Sequence, residues 1–326
     1  MKYHIRHQFR DIPNYYVTSF FQKLYKTIET RFPQHTFEIH NDPSYENNGY
    51  GSIYSCMNFS IINPDTQNYI IVSFFDNWKY HFMKHLGWNP SKMHKFFYCG
   101  GFNYIDYFNF RSVEADNPDI DCPLNITNKY HSFFYAPYYD SFYNEINEIY
   151  TQRNVKQTRG LLHFRGYMWH FREDMVRTIS DPSIRIIDKN KESNNLNYLE
   201  YLKELSENRS ALSLPGGTEI CNRDIECFAV GVPVLRPHLD INYPDPLISN
   251  YHYVNCFHAC KYWDGNPWYS QYENFGDYVE YYWNLIKNNY DYLEFVSHNA
   301  RQWYLKNCNP NNNIDYILSK FTLEDL

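Results

Sequence analysis

The stretch from Ser213 to Pro237, SLPGGTEICNRDIECFAVGVPVLRP, holds the residue types and spacings that best suit an anionic ligand. Pro215, Gly216 and Gly217 follow an apolar run and precede a helical pattern starting at Thr218, so backbone N–H groups can approach a ligand with no Cβ in the way. The unpaired N–H groups and positive dipole end of such a helix suit a phosphate. Glu219, Arg223 and Glu226 follow at intervals of four and three, which sets them on one helical face, while Ile220, Ile225, Phe228 and Ala229 form the opposite, apolar stripe. On the polar face Arg223 can hold a diphosphate bidentately and Glu226 can accept hydrogen bonds from ribose hydroxyls. The same spacing also fits a plain turn followed by a solvated, salt-bridged helix face.

These residues need a scaffold, and the pattern around them supplies one. From residue 160 onward short apolar runs alternate with segments of helical period. GLLHF (160–164), SIRII (183–187), SALSL (210–214) and VPVL (232–235) read as strands; 171–179, 197–207 and 218–230 read as the helices between them. Strand–helix alternation of this kind implies right-handed crossovers and a parallel, doubly wound sheet. Before it, a helix is expected over Val17 to Thr30 and strands over 68–78 and 131–139, the latter followed by a helix. The polar stretch 151–160 is the expected linker. Three further helices are expected near 276–288, 291–306 and 313–320.

With 326 residues the chain is long enough for two cores. Hydrophobic residues make up 43% and charged residues 21%, ordinary for a globular protein, whereas 34 Tyr and 24 Phe are an excess that, with abundant Asn, Ile and Lys, reads as codon bias toward A and T. A net charge of -7 argues against a general nucleic-acid binder. Eight cysteines at irregular spacing, without a CxxC pair, fit a reducing compartment. The opening residues lack the apolar core of a signal peptide, and no stretch approaches ~20 apolar residues, so the expectation is a cytoplasmic protein with no membrane span.

Several other motifs carry less. Asp119-Ile120-Asp121 has the D-x-D form of a metal-binding pair, but Asn117-Pro118 precedes it where a buried strand should end. Cys256, His258 and Cys260 lack the second pair that structural zinc requires, so core thiols are the better account. There is no P-loop, no dinucleotide fingerprint after a strand and no nucleophile elbow.

The run P-G-G, then N-R-D-I-E, then G-V-P-V resembles the donor-site signature of GT-B glycosyltransferases, and is most similar to the exostosin-like and protein O-glucosyltransferase-like branches. Phe164-Arg165-Gly166, with Arg172 following, resembles the F-R-G that opens the donor domain in the latter. Asn250 to Val254, with His252, and SHNARQWY (297–304) resemble later parts of the same domain. Cys221 stands where that branch carries a small hydroxyl residue. His252 itself reads as a packed or hydrogen-bonded histidine.

The resemblance implies an α/β protein of the GT-B class: two Rossmann-like domains facing a cleft, with C-terminal helices packing back toward the N-terminal domain. Residues 1–155 would form the acceptor side, 156–306 the donor-binding domain and 307–326 a helical tail. It implies metal-independent transfer of a sugar from a nucleotide-sugar donor to a glycan or protein hydroxyl, with no further cofactor. Arg165 would face the diphosphate and stabilise the leaving group as charge develops, and Arg172, Pro215, Gly216, Gly217, Thr218, Glu219, Asn222, Arg223 and Glu226 would line the donor site. If transfer inverts the anomeric carbon, the base must come from the N-terminal domain, and Asp76 is the candidate; the alternative for Asp76 is a cap on a helix over 78–86. Two rivals are a non-catalytic binder of GT-B shape, which would have Arg165 and Arg223 occupied by the protein's own acids, and a metal-dependent GT-A enzyme using Asp119 and Asp121.

Overall fold

A computed structural model of the chain describes residues 1–6, 16–40, 58–74, 92–99, 130–134, 136, 139–168, 170–192, 196–214, 220–239, 243–258 and 274–326. The protein is mixed α/β and falls into two compact units. One comprises Met1–Pro137, Ile241–Pro244 and Pro310–Leu326, the other Tyr138–Asp240 and Asp245–Asn309. Among the described residues no helix is long and apolar enough to cross a membrane.

The first unit holds strands β1 (Lys2–Arg6), β2 (Thr36–His40), β3 (Asn58–Ile62), β4 (Tyr69–Ser73), β5 (Met93–Tyr98) and β6 (Tyr130–Ser132) in the order β2-β1-β3-β4-β5-β6. Helix α1 (Tyr16–Arg31) places Phe20, Phe21, Leu24 and Ile28 in a core with Tyr3, Ile5, Phe59, Ile61, Ile70 and Val72. The C-terminal helix Pro310–Leu318 adds Ile314, Ile317 and Leu318 to the same core. The sheet departs from the all-parallel pattern of a Rossmann-like domain, because β3 runs antiparallel to both β1 and β4. The cause is local. Asn63 to Asn68 closes a tight turn in which the Asn63 and Asn68 backbones bond at 2.9 Å and Gln67 takes φ 62, and so short a link can join only antiparallel neighbours.

In the second unit β7 (Leu162–Gly166), β8 (Ile184–Asp188), β9 (Ser210–Leu212), β10 (Val234–Pro237) and β11 (Val254–Phe257) form a sheet in the order β11-β10-β9-β7-β8. Every pair is parallel. Four strands lie where the alternation places them; β11 is an addition. The helices are α2 (Tyr143–Gln152), α3 (His170–Val176), α4 (Tyr198–Ser206), α5 (Asn222–Val230), α6 (Phe275–Ile286) and α7 (Tyr290–Asn307). The stretch 151–160, expected to link domains, holds the end of α2 and the 3-10 turn Val155–Gln157, with Val155 in this unit's core.

Helix α5, the carrier of the candidate chemistry, is fixed at both ends. At its start Asp224 Oδ2 accepts from the Cys221 backbone N–H at 2.7 Å and lies 2.7 Å from Arg236 Nη1 on β10, with the two side chains 0% and 2% exposed. At its end Gly231 takes φ 69, a left-handed value that glycine adopts without strain, and the Val232 N–H closes the helix on the Cys227 carbonyl at 2.8 Å. Arg301 of α7 donates to the Ala229 carbonyl, a cation at the negative end of the helix.

Asp224→Ala leaves Arg236 buried without its counter-charge and is expected to cost about 3–5 kcal/mol in denaturant unfolding, whereas the double change Asp224→Leu with Arg236→Leu should recover most of that loss. Equal destabilisation by the single and double variants would show that the pair is not the source.

Candidate functional site

The strand order of the second unit has a reversal. From β7 the chain crosses to β8 on one side, then returns to place β9 on the other. Open α/β sheets bind ligands outside the carboxyl ends of the strands at such a reversal. The residues there are Gly166 at the end of β7 and Tyr167 after it, Lys189 after β8, Ser213 and Leu214 after β9, and the start of α5.

Arg223, on the first turn of α5, lies over this point. Its guanidinium stacks on Phe164 of β7 with 4.1 Å to the ring centroid and donates to the Arg165 carbonyl. Its Nε is buried and has no hydrogen-bond partner among the described residues. Among the described residues no carboxylate forms an ion pair with Arg223. A guanidinium remains charged at any physiological pH, so Arg223 is a cation whose hydrogen-bonding capacity the described residues leave incomplete. Gly166 makes room for it, since a Cβ at 166 would overlap the Arg223 guanidinium and lie 3.1 Å from Phe164 Cζ.

Beside it on the same helical face, Glu226 is hydrogen-bonded to Tyr201 of α4. Burial pushes the Glu226 carboxyl up, against the pull of Arg223 and the Tyr201 hydroxyl. Lys189 sits 5.8 Å from the Tyr167 ring and 5.9 Å from the Tyr201 ring, with its backbone N–H bonded to the Gly166 carbonyl at 3.0 Å. This end of the sheet thus presents two cations, a carboxyl and aromatic edges, a set able to hold a diphosphate with an attached hydroxylated ring.

Arg165 is placed differently from the expectation. It is 6% exposed. Its Nε and Nη2 each donate at 2.8 Å to Glu204 of α4, and its Nη1 pairs with Glu192. Two protein carboxylates satisfy it, which is the arrangement expected of an arginine with a structural role. His163, two residues earlier on the same face of β7, has Nε2 2.8 Å from Glu204 Oε1. Arg172 bridges the two strands at the reversal: Nη1 donates to the Tyr167 carbonyl at 2.9 Å and Nη2 to the Leu214 carbonyl at 3.3 Å. The Cys221 thiol also donates to Leu214 O, at 3.3 Å, and burial raises its pKa, with Asp224 acting in the same direction. Asn222 opens α5 with its side chain exposed.

The structure therefore brings Arg165, Arg172, Arg223 and Glu226 to one end of one sheet, with Asn222 on the helix that enters it. Pro215, Gly216, Gly217, Thr218 and Glu219 lie outside the described residues, as do Asp76, Asp119, Asp121 and Cys260. His252 is buried with Nδ1 accepting from the Ile248 N–H at 2.8 Å, a packed histidine as expected. Lys189, Tyr201, Glu204 and His163 were not singled out by the sequence. The position of Lys189 directly after a strand was a usable signal; the other three carry none without the tertiary pairing. Compared with known proteins, the chain matches no protein-family model and no curated protein sequence.

Burial holds the His163 pKa down to about 4, against the pull of Glu204, compared with 6.5 for a free ring. Above about pH 6.5 the ring is neutral in both folded and unfolded chains, so it makes no difference to stability there. Below that, only the unfolded chain takes up the proton, and stability should fall between about pH 6.5 and about pH 4 by up to about 3 kcal/mol. Denaturant unfolding across this range should show that slope, and His163→Gln should remove its share of it; an unchanged slope would exclude His163 as the source.

Proposed function

We propose that the second unit binds the nucleoside diphosphate portion of a nucleotide sugar at the carboxyl ends of β7 and β9, and that the protein is a metal-independent GT-B-type glycosyltransferase acting on a glycan or protein hydroxyl. The observation that carries this reading is Arg223, a half-buried cation at the strand-order reversal with an unpartnered Nε and no ion-paired carboxylate among the described residues. A diphosphate supplies the missing acceptor and charge, and the first turn of α5 adds its own partial positive charge. The Glu226–Tyr201 pair would then accept from the ribose hydroxyls.

In this reading Arg223 neutralises the leaving diphosphate, and Arg165 acts through the protein: its carbonyl anchors Arg223 and its guanidinium holds Glu204 and Glu192 away from the anion. The first unit would bind the acceptor and supply any base, with Asp76 the proposed group. The full satisfaction of Arg165 by two carboxylates favours a second reading, a protein that binds the nucleotide without turnover, since the cation assigned to the leaving group by family resemblance is already occupied.

A thermal-shift screen against UDP, GDP, CMP, dTDP and their sugars, with and without EDTA, tests the site. A nucleotide at 100 times its dissociation constant should add about 2.7 kcal/mol, a rise of a few degrees. The rise should survive EDTA and disappear in Arg223→Ala. Gly166→Ala, which displaces the Arg223 guanidinium without removing it, should weaken binding while the protein still folds. Release of free nucleotide from the stabilising nucleotide sugar would favour the transferase, and binding without release the non-catalytic reading. No shift with any nucleotide overturns both.

A further inference from the structure

The parallel pairing of β1 and β2 puts His4 opposite Glu38 and Arg6 opposite His40. Side chains alternate along a strand, so His4, Glu38 and His40 share the sheet face opposite to the buried Tyr3 and Ile5. His4 Nε2 lies 3.6 Å and His40 Nε2 3.3 Å from the same oxygen, Glu38 Oε2, and the two imidazole rings are 4.2 Å apart between centroids. Two donors bonded to one tetrahedral ion at about 2.0–2.1 Å stand about 3.4 Å from each other. Both nitrogen-to-carboxylate distances are close to that spacing, and the three ligand atoms all lie within 4.8 Å of one another.

His40 Nε2 is shielded from solvent yet makes no hydrogen bond of good geometry. Among the described residues β2 is the edge strand of its sheet.

We propose that His4, Glu38 and His40 form a binding site for a divalent transition-metal ion of the zinc type, with water completing the coordination. Two imidazoles and one carboxylate suit zinc, nickel or copper better than magnesium or calcium, which prefer oxygen donors. The Lys2 ammonium, 2.6 Å from Glu38 Oε2, occupies the carboxylate when no metal is bound and is displaced when one enters. The site lies wholly in the first unit and is independent of the nucleotide reading.

The test is titration of the chelator-treated full-length protein with Zn2+ alone by calorimetry and with Co2+ by visible absorption. One ion per chain should bind, with a cobalt spectrum of low coordination number. His4→Ala and His40→Ala should each weaken this binding more than tenfold, and Glu38→Gln should weaken it as well. Lys2→Ala should tighten it severalfold by freeing the carboxylate, with thermal midpoints confirming the fold. If a histidine variant does not fold, opposite shifts in Glu38→Gln and Lys2→Ala support the site, and no shift in either overturns it. Absence of saturable binding, or binding unchanged in the folded histidine variants, also overturns it.

Discussion

The buried ion pair between Asp224 and Arg236 is the constraint on which the second unit's candidate site depends. A carboxylate and a guanidinium at 0% and 2% exposure are tolerated only because each compensates the other's loss of hydration. Asp224 also takes the Cys221 N–H, so one carboxylate joins the start of α5 to strand β10. Arg223 is the preceding residue, and the position of its guanidinium follows from that anchoring. The opposite end of α5 is held by Gly231 and by Arg301, so the helix is fixed along its length and its first turn is directed at the ends of β7 and β9.

A second constraint is the allocation of acids among arginines. Arg165, Arg172, Arg223 and Arg236 gather at one end of one sheet. Glu204 and Glu192 serve Arg165, Asp224 serves Arg236, and backbone carbonyls at the ends of β7 and β9 serve Arg172. Arg223 receives one carbonyl and an aromatic face. Among the described residues this one alone of the four has neither an ion-paired carboxylate nor a second carbonyl. Burial opposes the ionisation of Glu226 beside it, against the pull of Arg223.

The surface of the first unit follows a different rule. Parallel pairing of β1 and β2 sets the histidines and the glutamate in register, with side chains 30% to 46% exposed. His4 is distant in sequence from Glu38 and His40, so no spacing motif announces the cluster. Only the strand pairing makes it one.

The sequence by itself determined the second unit's alternation of strands and helices, because apolar runs and helical stripes repeat cleanly from Leu162 to Val234, and it determined that Arg223 and Glu226 share a helix face. The antiparallel return at Asn63 to Asn68 is not among the sequence expectations; the structure supplies strand β3 and with it the turn. What only the tertiary structure decided is which charge meets which. Arg165 and Arg223 look alike in sequence, but Arg165 meets two glutamates from segments 27 and 39 residues away, while Arg223 meets a carbonyl and a ring. Period and propensity act over a few residues, whereas the pairing of buried charges depends on where distant strands are brought together.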